Sequence, residues 1–267
     1  MPSLVQAVRA AIPANHLATS LTRVAIYPYF TVARSRRMGL AMTLLDGNLV
    51  ADQPGREVRH CGAITERPLT EILDWAESDH PLERSIGVAA LNSCLPLADL
   101  AFHDGNAIEL AVRLGAGKDV VVVGHFPRLE PLRAAARSVR ILEKKPLPGD
   151  LPAEAAPDVI PTADVVAITG VTFLNSTLEG LLALKKPGAI VIVLGPTVPL
   201  SPALLDRGVD VLGGAWVDDE DRVESMLAQG GMPRRGFGLR HVLLARDPAL
   251  MHGFARLQAP PEHLAPE

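Results

Sequence analysis

The sequence predicts an α/β protein, a small α+β part followed by a Rossmann-like, doubly wound parallel sheet. Three observations lead there. Short β-branched runs recur at residues 119–123, 139–142, 164–168 and 189–194, continuous enough to be buried on both faces. Helical stretches alternate with them and require right-handed crossovers. Most of the runs end in glycine, proline or hydroxyl residues, at the strand ends where open parallel sheets bind ligands.

In chain order, Leu4, Val5, Val8 and Ile12 place an amphipathic helix before Pro13. Residues 21–29 and 39–45 read as strands, with Asp46-Gly47-Asn48 as a turn. Tyr27-Pro28-Tyr29-Phe30-Thr31 holds both tyrosines and reads either as a binding edge or as core and rim packing. Helices are expected over 69–77 and 81–91, the second opened by Pro81. Small residues from 83 to 92 permit close approach of another backbone, and Asn92 either points into a cleft or closes the helix.

The rhythm changes near Asp104, so two domains are expected, 1–103 and 104–267. In the second, the strand at 119–123 ends in Gly124-His125-Phe126-Pro127 and the strand at 139–142 ends in Glu143. The third strand runs into a polar elbow, Thr169, Gly170, Thr172, Asn175, Ser176 and Thr177. Asn175 or Ser176 could simply cap the next helix, but that leaves most of these groups without a role. The fourth strand ends in Gly195-Pro196-Thr197-Val198-Pro199-Leu200-Ser201. A fifth strand is expected at 209–212, a final edge strand at 239–245, and a loose tail from Gln258.

The bulk numbers narrow the function classes. Of 267 residues, 48% are hydrophobic and 21% charged, as in soluble globular proteins. A net charge of -4 and 4% aromatics argue against nucleic acid as a partner, which needs a basic stripe or a stacking platform. Cys61 and Cys94 lack CxxC spacing and suit a reducing compartment. Without an apolar signal region or a run of about 20 apolar residues, a cytoplasmic protein without membrane contact is expected. A homodimer is expected because closed two-fold pairs are the commonest soluble oligomers.

For chemistry, Gly124 closes the first strand and Glu143 the second, at roughly the spacing that places an acid on a ribose diol. The glycine fingerprint is missing and Pro127 removes a backbone donor, which argues against a dinucleotide. An adenosyl cofactor such as S-adenosylmethionine fits better. His125 is the candidate for metal binding or proton transfer, with a hydrogen-bonded structural histidine as the alternative. His60, Cys61, Cys94, His103, Asp104 and Glu143 are further potential ligands, in no spacing that specifies a metal. No nucleophile elbow, Walker loop or His-Glu-x-x-His helix is present.

Taken together, the 83–92 stretch, Val123-Gly124-His125-Phe126-Pro127, Pro148-Gly149-Asp150-Leu151-Pro152, Ile168-Thr169-Gly170 with Asn175-Ser176-Thr177, and Gly195-Pro196 with Pro199-Leu200-Ser201-Pro202 resemble the putative heavy-metal chelation family. The resemblance spans about Val24 to Val217. It implies an enolase amino-terminal-like domain, a Rossmann-like domain and a cleft between them. Similar sequences more often carry Ser-Thr where this one has Thr197-Val198.

Three readings follow. The first is a protein holding a metal-chelating or anionic metabolite, or a divalent metal, in that cleft. Its expected contacts are Gly124, His125, Glu143, Thr169, Gly170, Thr172, Asn175, Ser176, Thr177, Gly195, Thr197, Ser201 and Asn92. The second is an enzyme using an adenosyl cofactor with Glu143 on the ribose. The third is a non-catalytic sensor or assembly factor.

Overall fold

The computed structural model describes residues 1–45 and 57–257. The Asp46-Gly47-Asn48 turn and the tail from Gln258 therefore lie outside the described residues. In chain order the strands are β1 (Arg23–Ile26), β2 (Phe30–Arg34), β3 (Met38–Met42), β4 (Phe102–Asp104), β5 (Asp119–Val123), β6 (Ser138–Glu143), β7 (Leu151–Pro152), β8 (Val165–Thr169), β9 (Ile190–Leu194), β10 (Val211–Val217), β11 (Leu239–Ala245) and β12 (Ala255–Leu257). The first three form an antiparallel meander. The rest form one nine-stranded sheet, ordered β12-β4-β11-β10-β9-β8-β5-β6-β7.

From β7 across to β10 all neighbours run parallel. Numbered along the chain, their spatial order is 3-2-1-4-5-6, the order of dinucleotide-binding sheets. The topological switch lies between β5 and β8, where Val120 pairs with Val165 and Val123 with Ile168. Val121, Val166 and Ile168 pack into the core on one face, Val120, Val122, Val165 and Ala167 into the core on the other. Both faces are covered, so β5 from Val120 to Val123 and β8 from Val165 to Ile168 are apolar without a break instead of alternating.

Two sequence expectations are corrected. Residues 239–245 do form a strand, but β11 is interior, registered with β10 on one side and β4 on the other. The edge is β12, which pairs with β4. Strands of three residues carry too little periodicity to be read. Similarly, Tyr27-Pro28-Tyr29 is a hairpin turn, closed by the Tyr27 N–H donating to the Phe30 carbonyl at 3.0 Å, and β2 follows directly.

The Pro81–Cys94 helix is the meander's support. Its residues from Ile86 to Leu91 are buried, so the small-residue stretch is used within one chain. A Cβ added at Gly39 of β3 would lie 2.0 Å from the Ala89 carbonyl oxygen, so the strand rests directly on helix backbone. On its other side the meander reaches the large sheet. Phe30, Val32, Met38 and Leu40 pack with Val223 and Leu227 of the Glu220–Ala228 helix and with Leu239 of β11. At the rim, the Met38 N–H donates to Glu220 Oε1 at 2.7 Å and the Tyr27 hydroxyl to Glu224 at 2.5 Å. Among the described residues, no helix is long and apolar enough to cross a membrane.

Candidate functional site

At the switch point the chain leaves β5 through Gly124, whose φ is +98°. A Cβ there would approach Thr169 Cγ2, at the end of β8, to 2.9 Å. Only glycine lets the two strand ends come this close without strain. The strand-end amides step along the sheet: Gly124 N–H to Leu142 O at 2.9 Å, Gly170 N–H to Leu194 O at 2.8 Å, Gly195 N–H to Gly213 O at 2.9 Å. All three are thereby withdrawn from any phosphate, in keeping with the incomplete glycine fingerprint.

His125 stands beside this point between two carboxylates. Its Nε2 is hydrogen-bonded to Asp150 Oδ2, and its Nδ1 faces Glu143 Oε2 at 3.5 Å. The Asp150 side chain is only 6% exposed, and Oδ2 also accepts the Leu147 N–H at 2.9 Å. Against the desolvation of its burial, that amide and His125 hold the Asp150 carboxyl below its ordinary range. Glu143 is one-quarter exposed, and its Oε1 accepts the Lys144 N–H at 2.7 Å. Asp150 lies 25 residues from His125, a separation at which no spacing in the sequence marks it as a contact. Its signal was the Pro148-Gly149-Asp150 turn, in which Gly149 has φ +94°.

The polar elbow after β8 folds largely on itself. Thr172 is buried and donates to the Thr169 carbonyl at 2.6 Å, while Thr169 Oγ1 accepts the Val171 N–H at 3.4 Å. Asn175 Oδ1 accepts from Thr177, from Oγ1 at 2.6 Å and from N–H at 3.3 Å. Neither Asn175 nor Ser176 caps the Leu178–Ala183 helix. Thr177 occupies that position, and Ser176 is exposed with φ +60°.

Asn92, Thr197 and Ser201 lie elsewhere along the edge. Thr197 is buried, its Oγ1 accepting the Met42 N–H at 2.9 Å, and Ser201 caps the Pro202–Leu205 helix. Asn92 Nδ2 donates to the Leu40 and Thr197 carbonyls. Beside it lies a pocket of about 30 Å³ whose lining includes Leu40, Asn92, Val198 and Trp216, room for about one water. Asn92 Oδ1 and Trp216 Nε1 are both buried without a protein partner. Trp216, on β10, had no sequence signal beyond being a tryptophan in an apolar run. The structure thus brings Gly124, His125, Glu143, Thr169 and Gly170 to the switch point and gathers Asn92 and Thr197 against the meander.

Residues 106–242 match the DUF364 family, described as putative heavy-metal chelation, and residues 11–95 match DUF4213, with the same description. The chain belongs to the DUF364 family. A protein of unknown function from this family in Desulfitobacterium hafniense superposes with a TM-score of 0.75 at 25% identity, covering 91% of this chain and 98% of that one. A second, from Pyrococcus horikoshii, gives 0.74 at 20% identity, with 91% and 99% covered, and shows the same fold. An uncharacterized protein of Methanocaldococcus jannaschii is 27% identical over 194 residues, 70% of this chain and 73% of its own.

The other potential ligands of this DUF364 chain are dispersed. His60 pairs with Glu71 at 3.1 Å. Cys94 is buried with its thiol pushed up to about 12 by desolvation, so no thiolate is offered there to a soft metal. Among the described residues, no group of three or more His, Cys, Asp or Glu side chains is arranged to hold an ion.

Proposed function

We propose that this protein binds a small metabolite that itself chelates metal, at the carboxyl edge of the large sheet where the meander faces it. The observation that carries the reading is His125, an accessible imidazole held between two carboxylates beside the topological switch. Open α/β sheets bind ligands at that place. The family description supports metal as part of the ligand. Gly124, Thr169 and Gly170 shape the floor of the site, Asn175 and Ser176 follow in the segment after β8, and Gly195 and Ser201 lie farther along the edge in the loop after β9. The reading takes residues 1–103 and 104–267 as two domains and places the protein in a reducing, cytoplasmic compartment, which the free Cys61 and Cys94 favour.

Titration calorimetry with Zn²⁺, Co²⁺, Ni²⁺ and Cu²⁺, each free and as the citrate chelate, tests this. Binding of chelates is expected. Absence of heat with every ion and every chelate at millimolar concentration defeats the reading.

A second reading, an adenosyl cofactor with Glu143 on the ribose, is favoured by one feature. Glu143 closes β6 immediately beside the first strand of the 3-2-1-4-5-6 order, where such an acid belongs. It predicts that S-adenosylmethionine or a related nucleoside raises the melting temperature. No shift at millimolar nucleoside eliminates it.

A further inference from the structure

We infer that His125 Nδ1 and Glu143 Oε2 are a two-donor arm that completes the coordination of a metal arriving inside a chelate, with Asp150 as the positioning residue. The inference rests on the proposed ligand class above and assigns the atoms that would meet its metal.

Three observations lead to it. The first is the tautomer. Asp150 Oδ2 accepts the Leu147 N–H at 2.9 Å and is hydrogen-bonded to Nε2, so in the neutral His125 ring, the form that binds a metal, the hydrogen sits on Nε2. That leaves the Nδ1 lone pair directed away from Asp150. Metal-bound histidines characteristically donate their other ring N–H to a carboxylate in this way, which fixes the ring and raises its basicity. Asp150 is suited to the task because it is itself anchored by the Leu147 N–H at 2.9 Å and is almost fully buried.

The second is spacing. Two N and O donors about 2.1 Å from one ion lie about 3.4 Å apart at a tetrahedral angle and about 3.0 Å apart in adjacent positions of a six-coordinate ion, a spacing that a small rotation of the Glu143 side chain reaches. Nδ1 and Oε2 are 3.5 Å apart. Glu143 Oε1 is turned away onto the Lys144 N–H, so Oε2 is the oxygen presented.

The third is number. Two donors hold a free ion weakly, and among the described residues no third His, Cys, Asp or Glu completes the set. A metal whose chelator leaves two positions open needs two more donors and no third. The protein would then discriminate by the open positions: it takes an unsaturated chelate and refuses a saturated one.

The test uses the intact chain with two Ni²⁺ probes. Nitrilotriacetate fills four positions of the ion and leaves two, whereas ethylenediaminetetraacetate fills all six. Calorimetry and the visible ligand-field spectrum should show the nitrilotriacetate complex binding and the saturated complex failing to bind. His125→Ala and Glu143→Ala should each weaken the first at least tenfold and abolish its spectral shift, and Asp150→Asn should weaken it about 10–100-fold. Unfolding temperatures within a few degrees of wild type establish that the variants are folded, and His125→Gln provides a second variant of similar bulk. Equal affinity of wild type, His125→Ala and Glu143→Ala for the nitrilotriacetate complex, or equal binding of the saturated complex, overturns the two-donor arm while leaving the chelate-binding reading standing. Failure of free ions, citrate chelates and both Ni²⁺ probes alike overturns both.

Discussion

Asn92 donates its side-chain amide to the carbonyl oxygen of Thr197 at 3.1 Å, and from the same nitrogen to Leu40 at 2.8 Å. Thr197 answers by accepting the Met42 N–H at 2.9 Å. A helix, the meander and the loop after β9 are thus fastened by two polar side chains in a largely apolar contact.

Removing Asn92 should therefore loosen the docking of the meander. Asn92→Ala leaves two carbonyls without that partner and is expected to cost about 1–3 kcal/mol. At this chain length each kcal/mol lowers the melting temperature by about 2–4 °C. Thr197→Val, which loses the Met42 bond alone, should cost less. Thermal unfolding of both variants checks this, and an unchanged Asn92→Ala midpoint would refute the fastening role.

Gly124 and Thr169 should prove coupled. Gly124→Ala forces a side chain into a left-handed backbone conformation and into Thr169 Cγ2, at an expected cost of about 1–3 kcal/mol. Thr169→Ser removes that methyl. The double variant should thus be more stable than the sum of the two single losses predicts. Urea unfolding of the four proteins measures the difference. Simple additivity would show that the clash at the switch point is not felt.

The parallel strands were legible because burial on both faces leaves unbroken β-branched runs, as at Val120–Val123 and Val165–Ile168. The strand ends at Gly124, His125, Glu143 and Thr169 are readable from those runs, whereas the strand order that puts the switch point between β5 and β8 is not, because it depends on pairing between distant segments. Asp150 was not legible as a contact because it lies 25 residues from His125 and meets it only through the turn at Gly149. Thr172 and Thr197 read as ligand contacts because hydroxyls cluster there, and sequence does not reveal that backbone carbonyls and amides already occupy them. Strand β4 escaped notice because its three residues acquire a partner only when β11 and β12 arrive from the far end of the chain.

Glu83 makes stability depend on acid. Its carboxylate is almost fully buried. Desolvation opposes its charge, but hydrogen bonds from Arg59, at 2.8 and 2.9 Å, and from Ser78, at 2.7 Å, outweigh that and hold it down to about 2 from an ordinary 4.5. A group whose folded-state value is depressed favours folding above its unfolded value. That contribution is complete above about pH 5 and disappears as pH falls from 4.5 towards 2. Glu83→Gln should cost about 1–3 kcal/mol at pH 7 and flatten this part of the acid limb. Denaturant unfolding between pH 2 and 7 compares the two proteins, and parallel curves would exclude Glu83 as the source.

The two cysteines should differ sharply towards a thiol reagent. Cys61 is exposed. Cys94 is buried, donates to the Ala90 carbonyl at 3.2 Å and the Leu91 carbonyl at 3.4 Å, and has its ionisation pushed up to about 12 by desolvation. Since the thiolate is the reactive form, Cys94 is protected both by access and by charge. Iodoacetamide at pH 8 should label one equivalent of the native protein, with peptide mapping placing it at Cys61, and two equivalents after denaturation. Rapid labelling of Cys94 in the native state would show that the Pro81–Cys94 helix opens at its carboxyl end. The opening would loosen Leu95 and the meander packed beside it, so the labelling rate of Cys94 in Asn92→Ala should exceed that in wild type. Equal rates in the two proteins would mean that the Asn92 bonds do not hold that end of the helix closed.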